Sequence, residues 1–138
     1  MKVFIDTNIL VYAQDNFDEK KTKKARTLIE QLTENKQGVI STQVVQEFSN
    51  VLIKKSAGKL DISLLPNILD DMLFPLLSHT PDGSFYKRAI NTYSKYSLSF
   101  YDALIVQAAI DLKCELIYSE DMQNGAHYDG VTIANPFI

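Results

Sequence analysis

Val3-Phe4-Ile5-Asp6-Thr7-Asn8-Ile9-Leu10 is the stretch on which the fold turns. Three apolar residues, two of them β-branched, run straight into an acid, and apolar residues resume at Ile9, Leu10 and Val11. The pattern predicts a short buried strand that stops at Asp6 and passes at once into a helix. In an open parallel sheet, ligands bind beyond the carboxyl ends of the strands. An Asp at that point can offer its carboxylate to a metal or a phosphate. The plainer reading is that Asp6 caps the next helix, as Asp, Thr and Asn commonly do. The rest of the chain has to choose between them.

Working outward, a first helix is expected over 7–14, followed by a turn at Asp15-Asn16-Phe17-Asp18. Asp18 can cap a helix over 19–34, with Ala25, Leu28, Ile29 and Leu32 on one face. Asn35 to Gly38 break that helix, and Val39-Ile40 is a minimal strand. Ser41 or Thr42 then caps a third helix reaching about 55, with Val44, Val45, Phe48, Val51 and Leu52 as its buried stripe. Glu47 lies about 100° from the middle of that stripe, at its edge. Ser56-Ala57-Gly58 ends the helix. A fourth helix is expected over 63–73, its Pro66 suited to a first turn.

Residues 76–79 form a weak strand, and Thr80-Pro81-Asp82-Gly83 is a turn or cap signal. A fifth helix over 84–96 should turn Phe85, Ala89, Ile90 and Tyr93 inward. A sixth, over 100–112, is apolar nearly all round and therefore central. Strands follow at 115–118 and 131–134, with Asn124-Gly125 and Asp129-Gly130 marking turns. Short strands alternating with helices predict a three-layer, Rossmann-like α/β fold with a mostly parallel sheet. There is no repeat, low-complexity tract or linker, so 1–138 is read as a single domain.

Composition narrows the class. The chain has 138 residues, 46% hydrophobic and 22% charged, ordinary values for a soluble domain. Its one cysteine, Cys114, excludes an internal disulfide and points to a cytoplasmic protein. The apolar run after Lys2 is too short for a secretory signal, and nothing approaches a membrane span. With 14 basic and 17 acidic side chains, the net charge is −3. A protein that tracks a phosphate backbone by charge alone is usually basic. Any nucleic-acid contact must then come from a local patch or through a metal. The patches on offer are Lys20, Lys21, Lys23 and Lys24, with Lys87, Arg88 and Lys95. Such a run is usually just a solvated helix face.

Four acids occupy comparable places: Asp6 past the first strand, Glu47 on the helix after the second, Asp102 at the start of the sixth helix, and Asp121 past the fourth strand. With strands one and four adjacent, Asp6 and Asp121 flank the switch point of a doubly wound sheet, and the other two can reach it. Clustered carboxylates repel, and a divalent cation relieves the conflict. Hard oxygen donors suit Mg²⁺ or Mn²⁺, and the fitting chemistry is phosphodiester hydrolysis. No Cys/His set suggests zinc. Each acid also has a structural reading: Ser99-Phe100-Tyr101-Asp102 resembles a capping box, Ser119 and Asp121 can shape a turn, and Glu47 can be a boundary residue. Glu120 reads as solvent-facing, with Asp121 preferred for the metal. His79 and His127 read as isolated packing or surface residues, Asp111 and Glu115 as surface charges.

Phe4-Ile5-Asp6-Thr7-Asn8-Ile9-Leu10, Ser41 to Phe48, Ser99 to Ile105 and Leu116 to Met122, in this order and spacing, resemble the PIN-domain ribonucleases, particularly VapC-type toxins of toxin–antitoxin modules. The resemblance spans essentially the whole chain. It implies a five-stranded parallel sheet in the order 3-2-1-4-5 and Mg²⁺- or Mn²⁺-dependent endoribonuclease activity. Asp6, Glu47, Asp102 and Asp121 match the catalytic acidic metal site, with Thr7, Asn8 and Ser119 supporting it. The implied hydrolysis leaves the phosphate on the 5′ side. The implied partners are RNA, a cognate antitoxin that blocks the groove, and a second copy of the chain, with no membrane. A haloacid-dehalogenase-like phosphatase would want an acid where Asn8 stands. A receiver domain would want a paired acid beside Asp6 and a phospho-acceptor near His79. A catalytically silent PIN-like scaffold and a stand-alone PIN nuclease remain alternatives.

Overall fold

Continuous burial of β1 (Val3–Ile5) sets the architecture. Val3, Phe4 and Ile5 are at most 1% exposed, because the strand has parallel neighbours on both sides and helices over its faces. In the computed structural model, which describes residues 1–56 and 61–138, β2 (Gly38–Ser41) pairs on one side of β1 and β4 (Leu116–Tyr118) on the other. β3 (Leu77–His79) lies outside β2, and β6 (Val131–Ala134) outside β4, all parallel. These five strands run in the expected 3-2-1-4-5 order, counting β6 as the fifth.

A sixth strand was not anticipated. β5 (His127–Tyr128) pairs antiparallel with β6, so the full order is β3-β2-β1-β4-β6-β5. Its connection is Asp129-Gly130, with φ of 46° and 91°. Two successive positive φ values are what a tight hairpin turn demands, and Asp-Gly supplies them. The turn was legible; a two-residue strand is too short to carry a period.

The helices are α1 (Thr7–Gln14), α2 (Glu19–Glu34), α3 (Thr42–Ser56), α4 (Leu65–Ile68), α5 (Gly83–Tyr96) and α6 (Phe100–Asp111). α1 packs on α2 and α3, whereas α5 packs on α6, which lies against β4 and β6. Asp18, Asp82 and Ser99 cap α2, α5 and α6 through bonds from Lys21 N, Phe85 N and Asp102 N. The core is built from Phe4, Ile5, Ile9, Leu10, Ile40, Phe48, Ile117 and Ile133. Gly38 is needed where it stands: a Cβ there would lie 3.1 Å from Leu32 Cβ and from Leu76 Cδ2. Among the described residues, no helix is long and apolar enough to cross a membrane.

Four local expectations need correction. The helix expected over 63–73 is a composite: a 3₁₀ turn at Ile62–Leu64, α4, a π-helical turn at Leu69–Leu73 and another 3₁₀ turn at Phe74–Leu76. Pro75 has no N–H to give to a regular helix, and the winding loosens before it. Neither Ser41 nor Thr42 caps α3 as expected. The buried Ser41 hydroxyl has no hydrogen-bond partner among the described residues, and Thr42 Oγ1 donates to His79 O at 3.1 Å. Ile90 and Tyr93 do not face inward; they are 53% and 47% exposed. The helix buries the neighbouring stripe of Phe85, Ala89 and Thr92, where the Thr92 hydroxyl donates to buried Gln107 Oε1 at 2.6 Å. α6 is buried from Ala103 to Ala109, but Tyr101 in its first turn is 66% exposed. α3 reaches Ser56; the expected stop at Ala57 and Gly58 lies outside the described residues.

Candidate active site

β1 ends on Asp6, whose backbone N–H still donates to Tyr118 O at 3.0 Å, so the sheet ladder runs to the residue itself. Its side chain then does two things. Oδ1 accepts from Thr7 N at 2.8 Å and caps α1, whereas Oδ2 accepts from Ser119 Oγ at 2.7 Å and Asn8 Nδ2 at 3.2 Å. The two sequence readings of Asp6, cap and cleft carboxylate, are therefore both met, by different oxygens.

Asn8, in the first turn of α1, ties this strand end to the next. Its Nδ2 also donates to Asp121 Oδ2 at 3.2 Å, and its Oδ1 accepts from Glu120 N at 3.1 Å. Buried Ser119 accepts from Met122 N at 3.2 Å while donating to Asp6, which fixes the turn after β4. On the opposite wall, Glu47 Oε1 accepts from Thr7 Oγ1 at 3.3 Å and from Gln43 Nε2 at 3.1 Å. Asp6, Glu47, Asp102 and Asp121 line one cavity of about 510 Å³ at the carboxyl ends of β1 and β4. Ser99 provides the cap for α6, leaving the Asp102 carboxylate on the cavity wall.

Burial pushes Asp6 from the usual 3.8 up to about 6. The bonds from Ser119 and Thr7 oppose the shift, while the Glu47 and Asp121 charges add to it. Burial likewise raises Glu47, against the bonds from Gln43 and Thr7, with Asp102 and Asp121 repelling its charge. Such groups are uncomfortable as anions and favour a cation nearby. Among the described residues, no group of three or more carboxylate, imidazole or thiol side chains stands close enough together to hold a metal ion as it is. Every acidic donor here is a hard oxygen, so the donor set fits Mg²⁺ or Mn²⁺.

The structure moves several other residues. Glu120 is not simply solvent-facing: it accepts from Tyr12 OH at 2.5 Å and pairs with Lys21 Nζ at 2.7 Å. Against the raising effect of burial, those two bonds hold it below the usual range, and it lines the same cavity as Asp121. Asp111 is half-buried rather than a plain surface charge, taking Arg88 at 2.7 Å and His79 at 3.6 Å. His79 is thus not isolated, and its ring packs on Phe85. His127 is exposed and bonds to Thr132 Oγ1. None of Lys20, Lys21, Lys23, Lys24, Lys87 and Arg88 lines the cavity; Lys55 does. Lys55 was missed, although it lies eight residues after Glu47 on the same helix face. Gln43, four residues before Glu47, was legible by the same spacing. Tyr12 carried no comparable signal.

Three solved structures share the fold. VapBC2 of Rickettsia felis, bound to a DNA fragment from its promoter, superposes with a TM-score of 0.69 at 18% identity over 98% of both chains. A toxin–antitoxin complex from Klebsiella pneumoniae gives 0.67 at 19% identity, again over 98% of both. The sarcin–ricin-loop-cleaving toxin VapC20 of Mycobacterium tuberculosis gives 0.63 at 14% identity, over 87% of this chain and 90% of that one. No curated protein matches by sequence. The family model for the PIN domain matches residues 3–124, which takes in all four acids of the cavity. The chain belongs to the PIN-domain family.

Proposed function

We propose that the chain, working as one domain over 1–138, is a divalent-metal-dependent endoribonuclease and the toxin of a toxin–antitoxin pair. The observation that carries this reading is the cavity at the ends of β1 and β4. Four carboxylates from four separate elements line it, beside Asp15 and Glu120, and the most buried of the four is destabilised as an anion. Asp6 and Asp121, bridged by Asn8, are the pair placed to hold Mg²⁺ or Mn²⁺, with Asp102 and Glu47 completing the acidic wall. A cation held there supplies charge neutralisation at a phosphate and activation of water. The chain's own groups supply position. Ser119 and Asn8 fix the Asp6 carboxylate, Thr7 and Gln43 fix Glu47, and Ser99 fixes the turn that carries Asp102. Orientation of this kind is a large part of phosphoryl-transfer catalysis.

Likeness in fold to two toxin–antitoxin assemblies supports an antitoxin partner. A second copy of the chain fits the exposed stripe of Tyr86, Ile90 and Tyr93 on α5. Lys20, Lys23, Lys24 and Lys87 remain candidate phosphate contacts outside the cavity, and a cytoplasmic site of action suits the lone cysteine. The test is cleavage of single-stranded RNA by the purified chain in Mg²⁺ or Mn²⁺ against EDTA, with calorimetry of metal binding alongside. Metal-dependent cleavage supports the reading. Neither cleavage nor metal binding would leave a PIN-like scaffold instead.

A further inference from the structure

A nuclease must hold a polyanion, yet this chain carries a net charge of −3 and many of its cations are engaged. Lys21 is paired with Glu120, Arg88 with Asp111 and Lys95 with Asp129, at 2.7 to 2.9 Å. Lys55, the basic side chain on the cavity wall, stands 3.6 Å from Asp15 Oδ2. Charge neutralisation of phosphates, the usual source of affinity, is thin here.

The cavity has two other prominent features. Phe17 is 94% exposed and Tyr101 66% exposed, and both rings line the carboxylate cavity. Phe17 stands on the turn between α1 and α2, where its N–H donates to Asp15 Oδ1 at 3.0 Å. Tyr101 immediately precedes Asp102. Its carbonyl accepts from Gln43 Nε2, the same amide that holds Glu47, at 3.3 Å. Phe100 packs edge-on against it. Tyr101 thus stands on backbone tied through Gln43 to the site, and Phe17 on a turn held by Asp15, which also lines the cavity. Neither owes its exposure to a packing role, and an exposed phenylalanine forgoes the burial that ordinarily stabilises it.

An exposed ring beside a phosphate site suits a nucleobase. Unpaired bases present a face to aromatic side chains whatever their sequence, whereas bases inside a duplex do not. We propose that Phe17 and Tyr101 are stacking platforms that hold unpaired bases next to the phosphate in the acidic cavity, which makes the substrate a single-stranded RNA segment gripped by its bases more than by its charge. The inference rests on the nuclease reading above. Phe17 also walls a neighbouring apolar cavity with Val51 and Leu52, where a protein segment could lie. Tyr101 does not line that cavity. The space that both rings share is the one with the carboxylates, which favours RNA.

The experiment is fluorescence anisotropy in Mg²⁺ with labelled oligoadenylate, alone or annealed to oligouridylate, on the Asp6→Asn chain so that nothing is cut. Phe17→Ala and Tyr101→Ala should each weaken single-strand binding about tenfold. Phe17→Trp and Tyr101→Phe should restore it and so report an intact fold. The duplex should bind more weakly and ignore all four changes. The proposal is overturned if the alanine variants stay within about twofold of their parent, if Phe17→Leu binds as well as Phe17→Trp, or if Phe17→Ala disturbs only self-association. Cleavage in the Asp6 background separates the two levels. If the unmodified chain cuts RNA and the alanine variants bind and cut equally well, stacking fails alone. If binding depends on the rings but nothing is cut, stacking stands and the nuclease reading falls.

Discussion

At neutral pH and without metal, Asp6→Asn should make the protein more stable. Asp6 is 8% exposed, and burial raises its pKa from 3.8 to about 6. Between those values the folded state keeps a proton that the unfolded chain has released, so stability falls as pH rises through the window. A gap of roughly two pH units, at about 1.4 kcal/mol each, amounts to about 3 kcal/mol by neutral pH. Asparagine escapes that loss but has its own. Its amide oxygen can keep the Thr7 cap, while the bonds from Ser119 and Asn8 now meet an NH₂ group. Two such bonds are worth about 1 kcal/mol each. The balance is a gain of about 1 kcal/mol at pH 7, or about 3 °C in melting temperature for a domain of this size. Near pH 4, where folded wild-type Asp6 is protonated, the variant should be less stable by about 1 to 2 kcal/mol. Urea unfolding of both proteins in EDTA measures the difference, which should climb by about 2 to 3 kcal/mol between pH 4 and pH 7.5 and change sign. A variant less stable by a constant amount at every pH would refute the argument and leave Asp6 a structural cap.

Three more expectations follow from the same network. Ser119→Ala removes a donor to Asp6 and an acceptor for Met122 N; urea unfolding should register a loss of about 1 to 2 kcal/mol, and the pH window of Asp6 should move upward. Ser99→Ala deletes the cap that holds the first turn of α6. It should cost about 1 kcal/mol and lower kcat through the Asp102 turn, whereas Ser99→Thr should keep both. Lys21→Met frees Glu120 from its pair; the melting temperature should barely move while kcat drops, because Glu120 N is an anchor of Asn8.

The parts of this molecule that were legible in the sequence are those set by local rules. β1 reads as a strand because a central parallel strand is apolar on both faces, and its stop is marked by an acid. The four acids could be singled out because each sits where an element begins or ends, or on the edge of an apolar stripe. What stayed hidden depends on distance in the chain. Lys21 meets Glu120 across 99 residues, and Asn8 meets Asp121 across 113. α5 carries two adjacent apolar stripes, and only the docking of α6 decides that Thr92 goes in and Ile90 stays out. The nearly all-apolar run over 100–112 likewise hides that Tyr101, in the first turn of α6, stays exposed. The π-helical turn before Pro75 has no periodic signature at all.

The central claim is that these four carboxylates form one metal-dependent phosphodiesterase centre. The most direct test is RNA cleavage in Mn²⁺ by the wild-type chain, Asp6→Asn and Asp102→Asn, prepared identically, with EDTA controls and end-group analysis of the products. The account predicts cutting by the wild type alone, abolished by EDTA, with 5′-phosphate and 3′-hydroxyl ends. Cutting by both variants at the wild-type rate, or cutting that survives EDTA, would contradict it.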